Sequence, residues 1–136
     1  MSIIPFGHFN VLDRGVPNQE RICFKALQNL DLGKYFVGLG ITKGPNLVDP
    51  INDNSFWLGK GFVSTEDWIF LYTGVGTPRA NDVPNQPYKI YTMHWGRQNV
   101  LFRSAEIVPF IYSIDGIFLL TPTPALPNYA GDTQQS

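Results

Sequence analysis

One stretch narrows the fold more than any other: Trp68-Ile69-Phe70-Leu71-Tyr72-Thr73, a run of large apolar residues preceded by Glu66-Asp67 and closed by Gly74-Val75-Gly76. Large, rigid side chains in an unbroken run pack well on a pleated surface, which is what a buried strand requires. Upstream, Phe56-Trp57-Leu58 and Phe62-Val63 are separated by Gly59-Lys60-Gly61, so residues 56–76 read as strand, turn, strand, turn.

The same grammar runs through the rest of the chain. Residues 20–27 alternate, with Ile22, Phe24 and Ala26 on one face and Arg21, Cys23, Lys25 and Leu27 on the other. Gln28–Gly33 is a turn, and Lys34–Ile41 a second strand. Its Gly38 and Gly40 fall on one face, where two missing side chains signal close approach by another segment or a bulge. Residues 43–55 and 74–87 read as long loops, because Gly-Pro, Asp-Pro, Asn-Asp-Asn and repeated prolines are turn formers. Tyr88–Trp95 alternates again. Gly96–Asn99 turns into Val100-Leu101-Phe102, and Val108–Ser113 pairs with Ile117–Leu120 across Asp115-Gly116, a strong hairpin signal. Together these elements predict an all-β, single-domain antiparallel β-sandwich, immunoglobulin-like or jelly-roll-like, with about seven to nine strands. Its core is expected to take in Trp68, Phe70, Ile22, Phe24, Val37, Leu101, Val108 and Phe110. Residues 20–120 form the sandwich. Residues 1–19 are too apolar for a free tail and read as a leader lying on the body or on a neighbour, while residues 121–136 open with Thr-Pro-Thr-Pro-Ala-Leu-Pro, which cannot continue a ladder.

Composition sets the outer limits. At 136 residues, 43% hydrophobic and 15% charged, against a usual charged share of about 25%, the chain can bury a real core and is not disordered throughout. A net charge of −1 with scattered Lys and Arg does not suit a nucleic-acid binder, and nucleic acid is not an expected partner. The same low charge does little to keep copies apart. Cys23 is the one cysteine; it excludes an internal disulfide and reads as a buried, inert thiol. Neither a leader peptide nor an apolar run of about 20 residues is evident. The expectation is a soluble cytoplasmic protein, bacterial or made by a virus in its host's cytoplasm, with no membrane association.

Reaction chemistry is hard to find. Two histidines, His8 and His94, exclude a site of several imidazoles, though not one of a single His with carboxylates; no metal and no cofactor is expected. Gly-x-Ser-x-Gly and His-Glu-x-x-His are absent. Glu66 and Asp67 are neighbours facing opposite ways, so they cannot converge on one bond and read as solvated acids of a turn. The chain therefore reads as a non-enzyme. Two classes of function remain. In the first, surface Tyr and Trp together with the two ends serve protein contacts, self-association above all. In the second, a small-ligand binder captures an anionic or nucleotide-like molecule. Thr73, Gly74, Gly76, Thr77 and Arg79 would supply donors, His94 and Arg97 would lie opposite, and Tyr88 or Trp95 would stack on a base.

Three segments carry a family resemblance. Asp31-Leu32-Gly33-Lys34-Tyr35 resembles the start of lamin-tail-type domains, Asp67–Tyr72 their central strand, and Ile107–Ile117 their final hairpin. The resemblance covers roughly residues 22–120. It implies an immunoglobulin-like sandwich and a non-catalytic module that binds proteins or tethers assemblies, with no catalytic residue carried over.

Overall fold

A computed structural model describes residues 4–119. The proline-rich segment and the polar tail, read above as residues 121–136, lie outside the described residues. The strands are β1 (Phe6–Leu12), β2 (Arg21–Ala26), β3 (Leu30–Asp31), β4 (Tyr35–Gly44), β5 (Leu47–Trp57), β6 (Phe62–Val63), β7 (Trp68–Tyr72), β8 (Arg79–Asp82), β9 (Lys89–His94) and β10 (Ile107–Ser113). They form a five-stranded sheet ordered β1-β2-β7-β9-β8, a three-stranded sheet ordered β10-β4-β5, and the small β3-β6 pair. Ile22, Phe24, Ile69 and Leu71 from the larger sheet share one buried cluster with Val37 and Leu39 from the smaller. The protein is thus the expected all-β sandwich-like domain. No described helix is long and apolar enough to cross a membrane.

One pair departs from the antiparallel pattern: β7 and β9 run parallel. The chain reaches this arrangement by passing outside. Residues 74–78 carry it from β7 to the sheet edge, β8 forms there, and β8 returns antiparallel into β9. The stretch expected as a long loop, residues 74–87, therefore contains a strand, and all four residues of β8 are exposed as an edge strand allows.

Residues 43–55 are likewise mostly strand. The turn formers there act locally: Gly44 at φ 138° and Asn46 at φ 58° make the tight reversal between β4 and β5. Pro50 sits on the outermost strand, close to a register shift against β4, where a missing N–H is tolerated. At the N-terminus, the expected leader supplies β1, an edge strand paired with β2. Two expected strands are not formed. Residues 100–102 lie outside any strand, and residues 114–119 leave β10 without a returning partner. The Ile114 N–H donates to the Lys34 carbonyl at 2.9 Å, and Ile117, Phe118 and Leu119 stand in solvent, Phe118 fully so.

The glycine signal in β4 is explained twice over. A Cβ on Gly38 would lie 2.7 Å from Cζ of Phe110, and one on Gly40 would collide with the Val48 side chain. Between these glycines the β4–β5 register also shifts. Close approach and a bulge both occur.

The core differs from expectation by one residue of phase. Ile22, Phe24 and Val37 are fully buried, and Leu101 packs against the cluster as expected. On β7, however, Ile69 and Leu71 point inward at 0% exposure, whereas Trp68 and Phe70 lie half-buried on the outer face. On β10, Ile107 and Ile111 pack on the core rather than Val108 and Phe110. Slipping a strand by one residue exchanges its faces. In a run where every residue is apolar, the sequence carries no alternation to fix the phase. Truncating Leu71 to Ala should cost about 2–5 kcal/mol in urea unfolding, whereas Phe70→Ala on the outer face should cost under about 2 kcal/mol.

Candidate functional site

The most ordered polar feature is the side chain of Glu20, 1% exposed. Its Oε1 accepts from the N–H of Gly15 at 2.8 Å and of Phe102 at 3.0 Å. Its Oε2 accepts from the Thr73 hydroxyl at 2.7 Å and the Leu101 N–H at 2.8 Å. One carboxylate thus ties together the turn before β2, the end of β7 and the loop after β9. Thr73, expected as a ligand donor, gives its hydroxyl to this knot.

From Thr73 onward the chain lies beside residues 95–97. The N–H groups of Trp95, Gly96 and Arg97 donate to the carbonyls of Tyr72, Gly74 and Thr73 at 2.8, 3.0 and 2.8 Å, prolonging the pairing of the two parallel strands. Above this ladder a cavity of about 250 Å³ opens. Thr73, Gly74 and Arg97 line it, joined by Asn18, Gln98, Asn99 and Arg103. Of the expected ligand residues, these three come together.

The others go elsewhere. His94 stacks on Tyr72, ring centroids 5.4 Å apart and planes 21° apart, and its ring lies so close to Gly76 that any side chain there would collide with it. Burial first, and Arg79 second, push its imidazole below the usual range. Neither ring nitrogen has a hydrogen-bond partner among the described residues. Thr77 and Arg79 are exposed on the approach to β8 and on it. Trp95 turns toward the core, 5.7 Å from Phe56, with the Arg97 guanidinium 5.5 Å over its ring. Tyr88 precedes β9, six residues from His94 and so roughly 20 Å along the strand. The set divides, and no aromatic ring is left to stack on a base in the cavity.

The acids and the thiol also take structural places. Glu66 pairs with Lys25 at 2.6 Å in solvent. Asp67, expected to be solvated, is instead buried. Its Oδ2 accepts from the Ser64 N–H at 2.8 Å and its Oδ1 from the Lys89 N–H at 2.9 Å, stapling the turn before β7 to the start of β9. Cys23 is buried, and desolvation pushes its thiol up to about 11, leaving almost no thiolate at neutral pH. Among the described residues no three His, Cys, Asp or Glu side chains gather as a metal site would need.

A second region is apolar. Between β1 and β10 lies an open cleft of about 490 Å³, walled by Phe6 and Phe9 on one side, Val108 and Phe110 on the other, and Leu47 and Val48 at the hairpin tip. No lining residue is charged. The cleft continues onto the outer face of the three-stranded sheet, where register places Phe36, Trp57, Ser55, Phe110 and Tyr112 together. Phe36 and Tyr112 stack at 5.4 Å and 13°, and the Tyr112 hydroxyl meets Ser55 Oγ at 2.6 Å. Trp57 is 45% exposed although its Nε1–H donates to the Gly33 carbonyl. Sequence reading named neither this face nor Glu20.

Comparison with protein-family models, with curated proteins and with solved structures finds no match.

Two measurements follow from this geometry. Replacing Glu20 by Gln places an amide NH₂ against two donors, and should lower stability by roughly 2–4 kcal/mol in denaturant titration. Burial and the Arg79 charge disfavour the protonated form of His94 in the fold, whereas the unfolded chain takes up a proton below about pH 6.5. Stability should therefore fall as pH drops through that value, and the melting curve of His94→Gln should be flatter than wild type between about pH 7 and pH 5.

Proposed function

We propose that this protein is a non-enzymatic interaction module that works through protein contacts, and first of all by association with copies of itself. The carrying observation is the outer face of the three-stranded sheet: Phe36, Trp57, Phe110 and Tyr112 lie side by side, with Asp53 in the hollow beside Phe110 and Tyr112, next to an apolar cleft. Contiguous apolar surface of this kind marks interaction sites, and exposed Trp and Tyr are favoured anchors. The segment after β10 adds to it, since Ile117, Phe118 and Leu119 are 72%, 102% and 71% exposed. A stable pair needs about 800 Å² from each copy, more than one side chain offers, so face and strap act together. The edges of β10 and β5 are also unpaired within the sheet, which gives a neighbour backbone to meet. Kinship with lamin-tail-type domains belongs to the same proposal and rests on the three sequence segments alone. We place the module in the cytoplasm, since its buried, weakly acidic thiol calls for no oxidising compartment.

Light scattering over about a hundredfold range of protein concentration tests the reading. The expected mass is a multiple of 15.3 kDa that drops to the single chain in Phe118→Asp and in Trp57→Asp, both exposed positions whose change leaves the monomer folded. A wild-type protein that stays monomeric at the highest concentration would refute it.

A further inference from the structure

We infer that the cavity between Asn18, Thr73 and the loop after β9 binds a small multivalent oxyanion, inorganic phosphate or a phosphate monoester of a few carbons. Two arginines, Arg97 and Arg103, line one cavity of about 250 Å³. Two cationic residues on one small cavity favour a dianion there, whose oxygens fit the planar fork of arginine. Neither arginine forms an ion pair with a described residue; the recorded pairs are Arg21–Asp13, Lys25–Glu66, Lys43–Asp49 and Lys89–Asp82. Arg97 gives one nitrogen to the Asp53 carbonyl at 3.2 Å and lies over the Trp95 ring, so Arg103, whose side chain bonds no described residue, is the principal cation for a ligand.

Beside the apolar Pro17 and Val100 side chains, the rest of the wall carries donors. Asn18, Gln98 and Asn99 bring side-chain amides. The backbone N–H groups of residues 98–100 make no hydrogen bond to another described residue. No acid is part of the lining, and Glu20, which accepts from Thr73, has both oxygens already occupied by four donors. Because that carboxylate fixes Thr73, Leu101 and Phe102, the walls are set before a ligand arrives, which lowers the cost of binding.

Size and lining decide the class. Sites for drug-sized ligands run to about 300–1,000 Å³ and are mostly apolar; this cavity is smaller, mixed in its lining and without an aromatic wall. A nucleotide would leave its base unheld, whereas a phosphate group finds donors on several sides. The inference is independent of self-association, since the cavity shares no residue with the apolar face.

Amide-resolved NMR of the full chain tests it, with sodium phosphate, glycerol 2-phosphate and sodium chloride titrated at constant ionic strength. The expected result is saturable shifts at Gly74, Gln98, Asn99 and Val100 with phosphate, absent with chloride, at a dissociation constant in the millimolar range or below. Tighter binding of glycerol 2-phosphate identifies a monoester as the ligand, and equal or weaker binding identifies free phosphate. Arg103→Gln should weaken binding at least about tenfold, with the ligand-free melting temperature unchanged. Asn99→Asp, which brings a carboxylate into the cavity, should abolish it, and Arg79→Gln, outside the cavity, should leave it intact. Failure to saturate by about 20 mM, or equal affinity in Arg103→Gln and Asn99→Asp, would overturn the inference.

Discussion

The buried carboxylate of Glu20 is the constraint on which this end of the fold depends. A carboxylate taken out of water must find its hydrogen bonds inside the protein, and Glu20 finds four, from Gly15, Thr73, Leu101 and Phe102. Those donors belong to three separate segments, of which only the one at Thr73 has ladder bonds of its own. The strands on either side can form without it. What the carboxylate adds is the relative position of their ends, and through that the burial of Phe102 at 1% exposure. Asp67 repeats the device at the opposite end of β7, binding Ser64 and Lys89. The parallel β7–β9 pair, which no short turn can close, is thus held by a buried acid at each end.

Much of the fold was legible because it is written locally. The alternation of residues 21–26 placed Ile22, Phe24 and Ala26 inward, and the paired glycines of β4 announced the approach of Phe110 and Val48. What escaped was information held between distant residues. Glu20 meets Thr73, Leu101 and Phe102 at separations of 53, 81 and 82 residues, and nothing near position 20 distinguishes it from a solvated acid. The phase of β7 and β10 escaped for a different reason: both faces are apolar, so the sequence has no polar marker for the outside. The Asp-Gly pair at 115–116 failed as a hairpin because a turn signal makes a hairpin only when the following strand gains a partner. Ile117–Leu119 gain none in the described chain.

The ligand residues read from sequence divided for a related reason. Thr73 to Arg79 follow one strand and His94 to Arg97 another, and the parallel pairing brings the two groups near each other as supposed. Alternation then sends neighbours apart: His94 goes to the outer face against Tyr72, Trp95 to the core against Phe56. Only Arg97, beyond the strand, returns to Thr73 and Gly74. A list of residue types close in sequence overstates a site on a strand, because half of it must face away.

The two outer faces of the sandwich carry aromatics in different company, and the contrast bears on which one meets a partner. On the five-stranded sheet, Arg21 lies over Tyr72 at 5.6 Å and Lys25 over Trp68 at 5.9 Å, each cation also paired to an acid, Asp13 and Glu66. Long side chains cover those rings and keep a charged head in water. A partner would have to strip that cover and desolvate two ion pairs. On the three-stranded sheet, Phe36, Phe110 and Tyr112 are covered only by one another, and Gly38 lets Phe110 lie down on the sheet where a larger residue would lift it. Asp53 lines the hollow beside Phe110 and Tyr112, but among the described residues no cation lies over these rings, so burying them displaces water from apolar surface without breaking an ion pair, which is the cheaper contact to make. The distribution of cations over two otherwise similar aromatic faces thus favours the smaller sheet as the surface of association.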